Sequence, residues 1–441
     1  MQRVVATLFA SAALLLGSTS SHAEDLLEIY RFAQDSDPQL RAAEAGNLAA
    51  QEVRSQSRAV MLPQLNLSAD ITQSNTDIIE SSSPILPAAE DTYTSNGYNV
   101  SLRQSIYHQD YYVQLRQADA RIAQANAEYE GARQGLILRA AEAYFNLLGA
   151  QDSLASAEAT KRAISQQLNQ TQQRFEVGLS AITDVHEAQA AYDIAVAAEL
   201  AAQSQVDNAR ENLREITGRD PLALAVLKEE VPLLPPEPAA IDQWVETAQQ
   251  QNLSLLAFEA AARAAREEMN RRQAGHYPTL DLVASHNYSD TTDYEFGSKR
   301  ADNSLGVQVN VPIYSGGLTT AQTREARALY TQAQEALEQQ RRATVRDTRS
   351  AYLGVTTGIS QVLARKQALA SAQTALEATQ AGFEVGTRTI VDVLDAQRVR
   401  YTAQSDYLRA RYDYLLATLR LKQAAGSLNE TDIAQINSWL K

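Results

Sequence analysis

The fold of this chain is decided at Gly382-Phe383-Glu384-Val385-Gly386-Thr387-Arg388-Thr389-Ile390-Val391-Asp392-Val393-Leu394-Asp395-Ala396-Gln397, where two long Ala- and Gln-rich stretches without proline meet. A second copy lies 208 residues earlier, at Phe175-Glu176-Val177-Gly178-Leu179-Ser180-Ala181-Ile182-Thr183-Asp184-Val185-His186-Glu187-Ala188-Gln189. From Phe175 and Phe383 onward, nine of fifteen positions are identical. The chain is therefore an internal repeat.

Each copy of this stretch predicts the tip of a helical hairpin. Gly178 and Gly386 stand where a helix ends in a residue of positive φ, which glycine adopts at little cost. The short polar run after each glycine can cap and start a returning helix. The sequence thus predicts two hairpins, with turn glycines at Gly178 and Gly386.

The composition and the first residues indicate an envelope protein. Residues 1–23 combine Arg3, an apolar run from Val4 to Leu16 and a small-residue site ending at Ala23, which is typical of a secretory signal peptide. The net charge of −14 argues against a nucleic-acid partner. The chain has no cysteine, which excludes disulfides and thiolate metal sites and is compatible with an oxidising periplasm.

Four segments alternate between apolar and polar residues, as amphipathic strands do. Pro63 and Pro278 each end a helical pattern just before the alternation begins. We predict strands at about 64–73, 98–107, 279–289 and 304–313. Their length of about ten residues is what a tilted membrane strand needs.

Heptad patterns follow the strands in both halves and predict supercoiled helices that pack on neighbours. The second half shows the clearer seam, formed by Val355, Val362, Leu369, Leu376 and Phe383. We predict long helices at 108–175 and 316–383, tips at 176–182 and 384–389, and return helices at 183–217 and 390–425. The domains are then a signal peptide (1–23), a first repeat (24–220), a Pro-rich equatorial linker (221–240), a second repeat (241–426) and a C-terminal segment (427–441).

Four amphipathic strands cannot close a membrane barrel alone, because single-chain barrels have at least about eight. An open edge in lipid would leave backbone groups unpaired. Strands that enter a membrane must therefore belong to a barrel shared between copies. The alternative is a soluble periplasmic coiled-coil adaptor or scaffold, with the strands in a small β-sandwich head.

The helix–strand–strand–helix halves, the tip stretch Gly386–Ala396 and the strand end Pro312-Ile313-Tyr314-Ser315-Gly316-Gly317 resemble the TolC family of outer-membrane efflux and secretion channels. The resemblance covers essentially all of the mature chain. It implies an α+β membrane protein in which coiled-coil hairpins form an α-barrel and four strands per chain join a transmembrane β-barrel shared between protomers. It further implies a homotrimer in outer-membrane lipid, acting as a passive exit duct with a periplasmic adaptor and an inner-membrane transporter.

Asp392 and Asp395 are the candidate entrance residues. At a spacing of i, i+3 they share one helix face, so a trimer would stack them as two carboxylate rings that favour cations. The alternative is local: Thr389 and Asp392 fit a capping box at the start of the return helix. Both interpretations can hold for Asp392.

The resemblance also implies gate links between protomers at the tips, formed by Arg388 with Thr183 and Asp184. The alternative for Arg388 is a solvated loop side chain. Phe383 departs from the family pattern, in which a tyrosine hydroxyl joins the closing network. The gate here is therefore expected to depend more on Arg388, or to close less tightly.

No catalytic or cofactor motif accompanies these features. The mature histidines, at 108, 186, 276 and 286, have no metal-ligand spacing, and neither a phosphate loop nor a nucleophile elbow occurs. We expect no enzyme activity, no cofactor and no metal.

Overall fold

The structure is a computed structural model that describes residues 23–77, 79, 90–292 and 297–441. The signal peptide predicted at 1–23 lies outside these residues except for Ala23, as does most of the loop between the first two strands. In chain order the elements are α1 (Leu26–Ser36), α2 (Pro38–Ala59), β1 (Gln64–Asp77), β2 (Glu90–Tyr107), α3 (Gln109–Glu176), α4 (Ile182–Thr217), α5 (Ile241–Gln251), α6 (Leu253–Gln273), a 3-10 turn (Ala274–His276), β3 (Thr279–Thr292), β4 (Ser298–Asn310), α7 (Leu318–Glu384), α8 (Ile390–Ala425) and α9 (Glu430–Asn437).

The two longest helices, α3 and α7, have 68 and 67 residues, and each extends for roughly 100 Å. α7 begins two residues later than predicted, because Gly316 and Gly317 both have positive φ (64° and 84°) and turn the chain between strand and helix. The return helices α4 and α8 end at Gly218 and Gly426, again with positive φ. In the part of the chain described here, no helix has both the length and the apolar character that a bilayer span needs.

The long helices change neighbours along their length. Near the sheet, α3 packs between α2 and α6, and α6 packs on α7. Toward the tips, α3 forms one hairpin with α4 and α7 forms the other with α8, and the two hairpins meet where α3 packs on α8. In this arrangement α2, α4 and α7 lie at the outer edges of the helical layer.

The main hydrophobic core lies around the middle of the long helices. Tyr144 and Phe145 of α3 are buried against Leu415 of α8 and against the short helices α1 and α9. The linker closes this core, since the Tyr144 hydroxyl donates a hydrogen bond to the carbonyl of Ala225 at 2.6 Å. Leu224 and Leu227 of the linker also pair with Glu24 and Leu440 as isolated bridges.

The four strands form one antiparallel sheet in the order β1-β2-β3-β4. The predicted starts of β1 and β3 and the predicted end of β2 agree with the structure, whereas the other end of each of these strands and both ends of β4 were wrong. β1 continues to Asp77, β2 starts by Glu90 and β3 continues to Thr292, because polar Ser, Thr and Asn residues go on pairing beyond the apolar part. The last strand covers Ser298–Asn310 and not 304–313, because its partner β3 begins at Thr279 and Pro312 has no N–H to donate.

The sheet has one apolar and one polar face. One row across all four strands is apolar, and the next row is polar. These rows are Leu65, Leu102, Ala284 and Leu305, and then Asn66, Ser101, Ser285 and Ser304. In the single chain the sheet does not close, and Leu65 and Leu305 are 69% and 77% exposed.

Candidate functional site: the hairpin tips

The first tip ends α3 with a Schellman motif. The Leu179 N–H donates to the carbonyl of Arg174 at 2.8 Å, and the Gly178 N–H donates to that of Phe175 at 2.9 Å. Gly178 has φ of 79°, and nothing lies within 4 Å of where its Cβ would be. Glycine is therefore required here by the backbone angle and not by lack of space.

The second tip repeats this motif in α7. The Thr387 N–H donates to the carbonyl of Gly382 at 2.8 Å, the Gly386 N–H donates to that of Phe383 at 3.1 Å, and Gly386 has φ of 82°. The shared sequence of the two tips thus produces the same local structure.

Asp392 takes part in a capping box at the start of α8. Its Oδ2 accepts hydrogen bonds from the N–H and the hydroxyl of Thr389, both at 2.9 Å, and its own N–H donates to Thr389 Oγ1 at 3.3 Å. These hydrogen bonds hold the pKa of Asp392 below its usual value, with a smaller contribution from nearby Arg388. The local interpretation of Asp392 is therefore present in the chain, and it leaves the carboxylate at the surface and ionised.

Asp395 lies one turn further along the same helix. Its Oδ1 accepts from Arg398 at 3.1 Å, and its side chain is 62% exposed. An exposed pair of this kind contributes little to stability. Asp395 thus carries negative charge at the tip without a structural need for it, and the entrance rings stay a prediction.

The predicted gate residues make contacts within their own hairpins. Asp184 accepts from the Ser180 hydroxyl at 2.9 Å and from the Ala181 N–H at 3.3 Å, while Thr183 is exposed. Arg388 is also exposed and packs over Gly382, where a Cβ would come within 2.8 Å of its Cγ. Links between Arg388 and Asp184 would need a second copy, so they stay a prediction.

Phe383 joins the two hairpins within one chain. The Arg174 guanidinium lies over its ring, 4.9 Å from the centroid, and the ring also packs on an apolar cluster that includes Ile164 and Ile390. Sequence reasoning missed this contact. The signal was the repeat itself, because Arg174 aligns with Gly382 and only the first tip carries a cation at that position.

A cleft of about 840 Å³ separates the hairpins above this contact. Glutamines line it from three helices, among them Gln166 and Gln170 of α3, Gln380 of α7 and Gln397 of α8. The Gln397 Oε1 is buried and has no hydrogen-bond partner. The cleft between the hairpins is therefore polar.

Asp152 and Tyr412 join α3 to α8 beside the main hydrophobic core. The Tyr412 hydroxyl donates to Asp152 Oδ2 at 2.6 Å, and its ring stacks on Phe145 at a centroid distance of 5.5 Å. Burial raises the pKa of Asp152, and the Tyr412 hydrogen bond and Arg411 oppose this rise. The two hairpins thus share a half-buried carboxylate that accepts a hydrogen bond from the opposite helix.

His108 and His286 make hydrogen-bonding contacts at the sheet. His108, at the start of α3, contacts Asp281 of β3 at 3.1 Å, and His286 contacts Asn303 of the neighbouring strand at 2.7 Å. Among the residues described, no group of three or more His, Asp or Glu side chains could hold a metal ion.

The open amphipathic sheet, continuous with helices roughly 100 Å long, defines a channel protein of the bacterial outer membrane that extends into the periplasm. A family model described as "Outer membrane efflux protein" matches residues 29–219 and 244–427. The chain belongs to this family, which is a family of channels. The resemblance to the TolC family is confirmed, and the soluble adaptor alternative is wrong.

Known relatives are similar in sequence to nearly the whole chain. Outer membrane protein TolC of Vibrio cholerae is 43% identical over 98% of both chains, and the alkaline protease secretion protein AprF of Pseudomonas aeruginosa is 31% identical over 98% of this chain and 90% of its own. The solved CmeC outer membrane channel of Campylobacter jejuni is similar in fold, with a TM-score of 0.78 over 96% of this chain and 91% of its own at 17% identity. The predicted fold class is confirmed as a mostly helical chain with a four-stranded antiparallel sheet.

Proposed function

We propose that this efflux channel protein is a homotrimeric, passive exit duct that serves drug efflux, type I protein secretion or both. The open sheet carries this proposal. Each repeat, 24–220 and 241–426, would contribute one hairpin and two strands, with the linker 221–240 in a belt around the helices. The chain would catalyse no reaction and use no cofactor.

The two sheet edges argue for shared assembly. Among the residues that the structure describes, no strand pairs with the outer edge of β1 or of β4. In lipid each unpaired group costs several kcal/mol. Three copies give twelve strands, which exceeds the minimum of about eight for a closed membrane barrel.

The outer helices support the same side-by-side arrangement. Ile194 and Leu200 of α4 are 71% and 67% exposed, and Leu363 of α7 is 57% exposed. Large apolar residues exposed on edge helices favour a surface that a neighbour covers. The edges of the sheet and of the helical layer therefore favour the same neighbouring copies.

The partners and cargo are inferred from relatives. The family name indicates efflux, and the name of AprF indicates secretion of a protease by that relative. We propose that an inner-membrane transporter supplies the energy and that a periplasmic adaptor docks at the hairpin tips. Asp392 and Asp395 would line the entrance as two rings, and Arg388 would link to Thr183 and Asp184 of a neighbouring copy when the duct is closed.

Four measurements test this function, two of assembly and conductance and two of transport. Native mass determination in mild detergent should give a trimer, and the trimer should conduct ions across a planar bilayer. Deletion of the gene should increase drug sensitivity and remove proteins from the secretome. A stable monomer with an intact β-sheet spectrum contradicts the shared barrel, and unchanged drug sensitivity together with an unchanged secretome contradicts the exit route.

A further inference from the structure

We propose that β4 of one copy pairs with β1 of the next in one defined antiparallel register, in which Val307 faces Ala69 of the partner subunit. This inference rests on the proposed trimer and names the residues by which two copies recognise each other. Four features of the sheet carry it: the free edges, the stagger of the strands, the chemistry of the apolar face and the position of one lysine.

The free edges are compatible in direction and length. β1 leads away from the helical layer and β4 returns to it, so they are antiparallel when placed side by side. β1 has 14 residues and β4 has 13, so nearly every residue of β4 can be paired. Only the register remains to be determined.

The stagger of the strands fixes the shift between neighbours. Gln64, the first residue of β1, is level with Gly306 of β4 through the pairs Gln64–Arg103, Arg103–Val283 and Val283–Gly306. Gly306 lies four residues before Asn310, the last residue of β4. The lower ends thus descend by four residues in total from β1 to β4, and if this net descent is averaged over the three steps, a fourth step extends it to a shift of about five to six.

The alternation of faces decides between these values. A shift by an odd number would turn the apolar residues of the next copy toward the polar side, so the shift must be even. Six is the even number nearest to the extrapolated shift. Gly306 therefore faces Asp70 of the partner subunit, six residues beyond Gln64.

This shift also gives a normal strand tilt. Six residues of ~3.3 Å each, spread over four strands ~4.8 Å apart, correspond to a tilt of about 45°. Membrane barrels have tilts of roughly 35–45°.

The apolar face matches in this register. Leu305 faces Ile71 of the partner subunit, and Val309 faces Leu67 of the partner subunit, on either side of the pair formed by Val307. These side chains are exposed in the single chain. Pairing them continues an apolar surface around the barrel, as cross-strand apolar contacts do within one sheet.

Asn303 distinguishes six from four. It lies on the same face as these apolar residues and contacts the His286 Nδ1 through its Oδ1 at 2.7 Å. A shift of six puts it opposite Gln73 of the partner subunit, whose amide can hydrogen-bond with it. A shift of four would put it opposite Ile71 of the partner subunit, where no polar partner is available.

The charge of Lys299 also favours a shift of six. Its ammonium group contacts Asp290 of β3 at 2.9 Å. In the proposed register its other neighbour is Asp77 of the partner subunit. The lysine then lies between two carboxylates at the end of the barrel farthest from the helices, where cross-strand pairs of opposite charge are favourable.

Cysteine cross-linking tests the register directly, because the chain has no cysteine of its own. Val307→Cys combined with Ala69→Cys should form a disulfide between neighbours on mild oxidation and yield a covalent trimer. Val307→Cys with Leu67→Cys tests a shift of four, and Val307→Cys with Ile71→Cys tests a shift of eight. Directly opposite Cβ atoms are about 5 Å apart and diagonal ones about 7–8 Å, so the shifted pairs should yield at least about tenfold less.

A second cysteine pair in the same register serves as a control, in case the first pair has backbone geometry that does not allow a disulfide. Neighbouring positions alternate between hydrogen-bonded and non-hydrogen-bonded pairs, so Gln308→Cys with Ser68→Cys covers the other type. Efficient linking by either register-six pair supports the proposal. Preferential linking by a shifted pair, or no linking in variants that are trimeric by native mass, overturns the register alone. A monomer by native mass overturns the trimer as well.

Discussion

Replacing Arg174 by glutamine removes the cation from above the Phe383 ring and keeps most of the side chain. The guanidinium lies 4.9 Å from the ring centroid at an exposed tip, where a cation–π contact contributes about 0.5–1 kcal/mol. In a trimer three such contacts hold the hairpins together, so their loss shifts the opening equilibrium by about 1.5–3 kcal/mol. Because 1.4 kcal/mol is a factor of ten, the ratio of open to closed channels should rise roughly ten- to a hundredfold.

Single-channel recording in planar bilayers measures this ratio as the open fraction. Arg162→Gln is the matched control, because Arg162 lies on the same helix and pairs only locally with Glu158 at 3.5 Å. Phe383→Leu should reproduce the effect of Arg174→Gln, since it removes the ring and keeps an apolar side chain. Phe383→Tyr should not, because it keeps an aromatic face.

The reasoning is refuted if Arg174→Gln, trimeric by native mass, has the same open fraction as Arg162→Gln. A rise of the open fraction in both variants would indicate that the open fraction depends on the positive charge of α3 in general and not on the contact between Arg174 and Phe383.

Three further predictions concern the same helices. Leu376→Asp should reduce trimer yield and drug resistance, because an unpaired carboxylate at this buried position costs several kcal/mol in each protomer. Quantitative native electrophoresis measures the trimer yield. An unchanged yield would show that the side chain at position 376 is not packed. A trivalent cation on the periplasmic side should block the channel, and Asp392→Ala with Asp395→Ala should abolish the block. Because the pKa of Asp392 is lowered, the block should persist at pH values where an ordinary carboxyl has begun to protonate. Block of equal strength in the double variant would contradict the entrance rings. Tyr412→Phe should lower the free energy of unfolding by about 1–3 kcal/mol in each protomer. The loss should be larger at pH 8 than at pH 5, because the pKa of Asp152 is raised and its ionised form, which needs the hydrogen bond most, becomes populated as the pH rises. Thermal unfolding at the two pH values measures the difference, with Asp152→Asn as the milder comparison.

The sequence predicted the elements that depend on local patterns. Gly178, Gly386 and the heptad seams located the tips and the long helices to within about two residues, because helix ends and helical periodicity are properties of neighbouring residues. The strand ends away from the helices were wrong, because pairing continues into polar residues such as Thr76 and Ser298, where alternation gives no signal.

The contacts between hairpins could not be predicted in the same way. Tyr412 and Asp152 are 260 residues apart, and their hydrogen bond depends on how α3 and α8 are rotated about their axes. The position of Arg174 over Phe383 depends on the same rotation. A single sequence fixes which face of each helix is apolar, but several rotations bury nearly the same apolar area, so individual polar partners stay undetermined.

The unbroken length of α3 makes it a lever. From Asp152 to Glu176, where the helix ends, it runs for 24 residues without proline, which is about 36 Å. A rotation of only about 10° around Asp152 would swing the tip by about 6 Å, more than half the diameter of a helix at ~10 Å. If a rearrangement of the Asp152–Tyr412 hydrogen bond turned α3 by this angle, it would change the width of the proposed entrance, and a force applied at the tip would act on Asp152 as a torque.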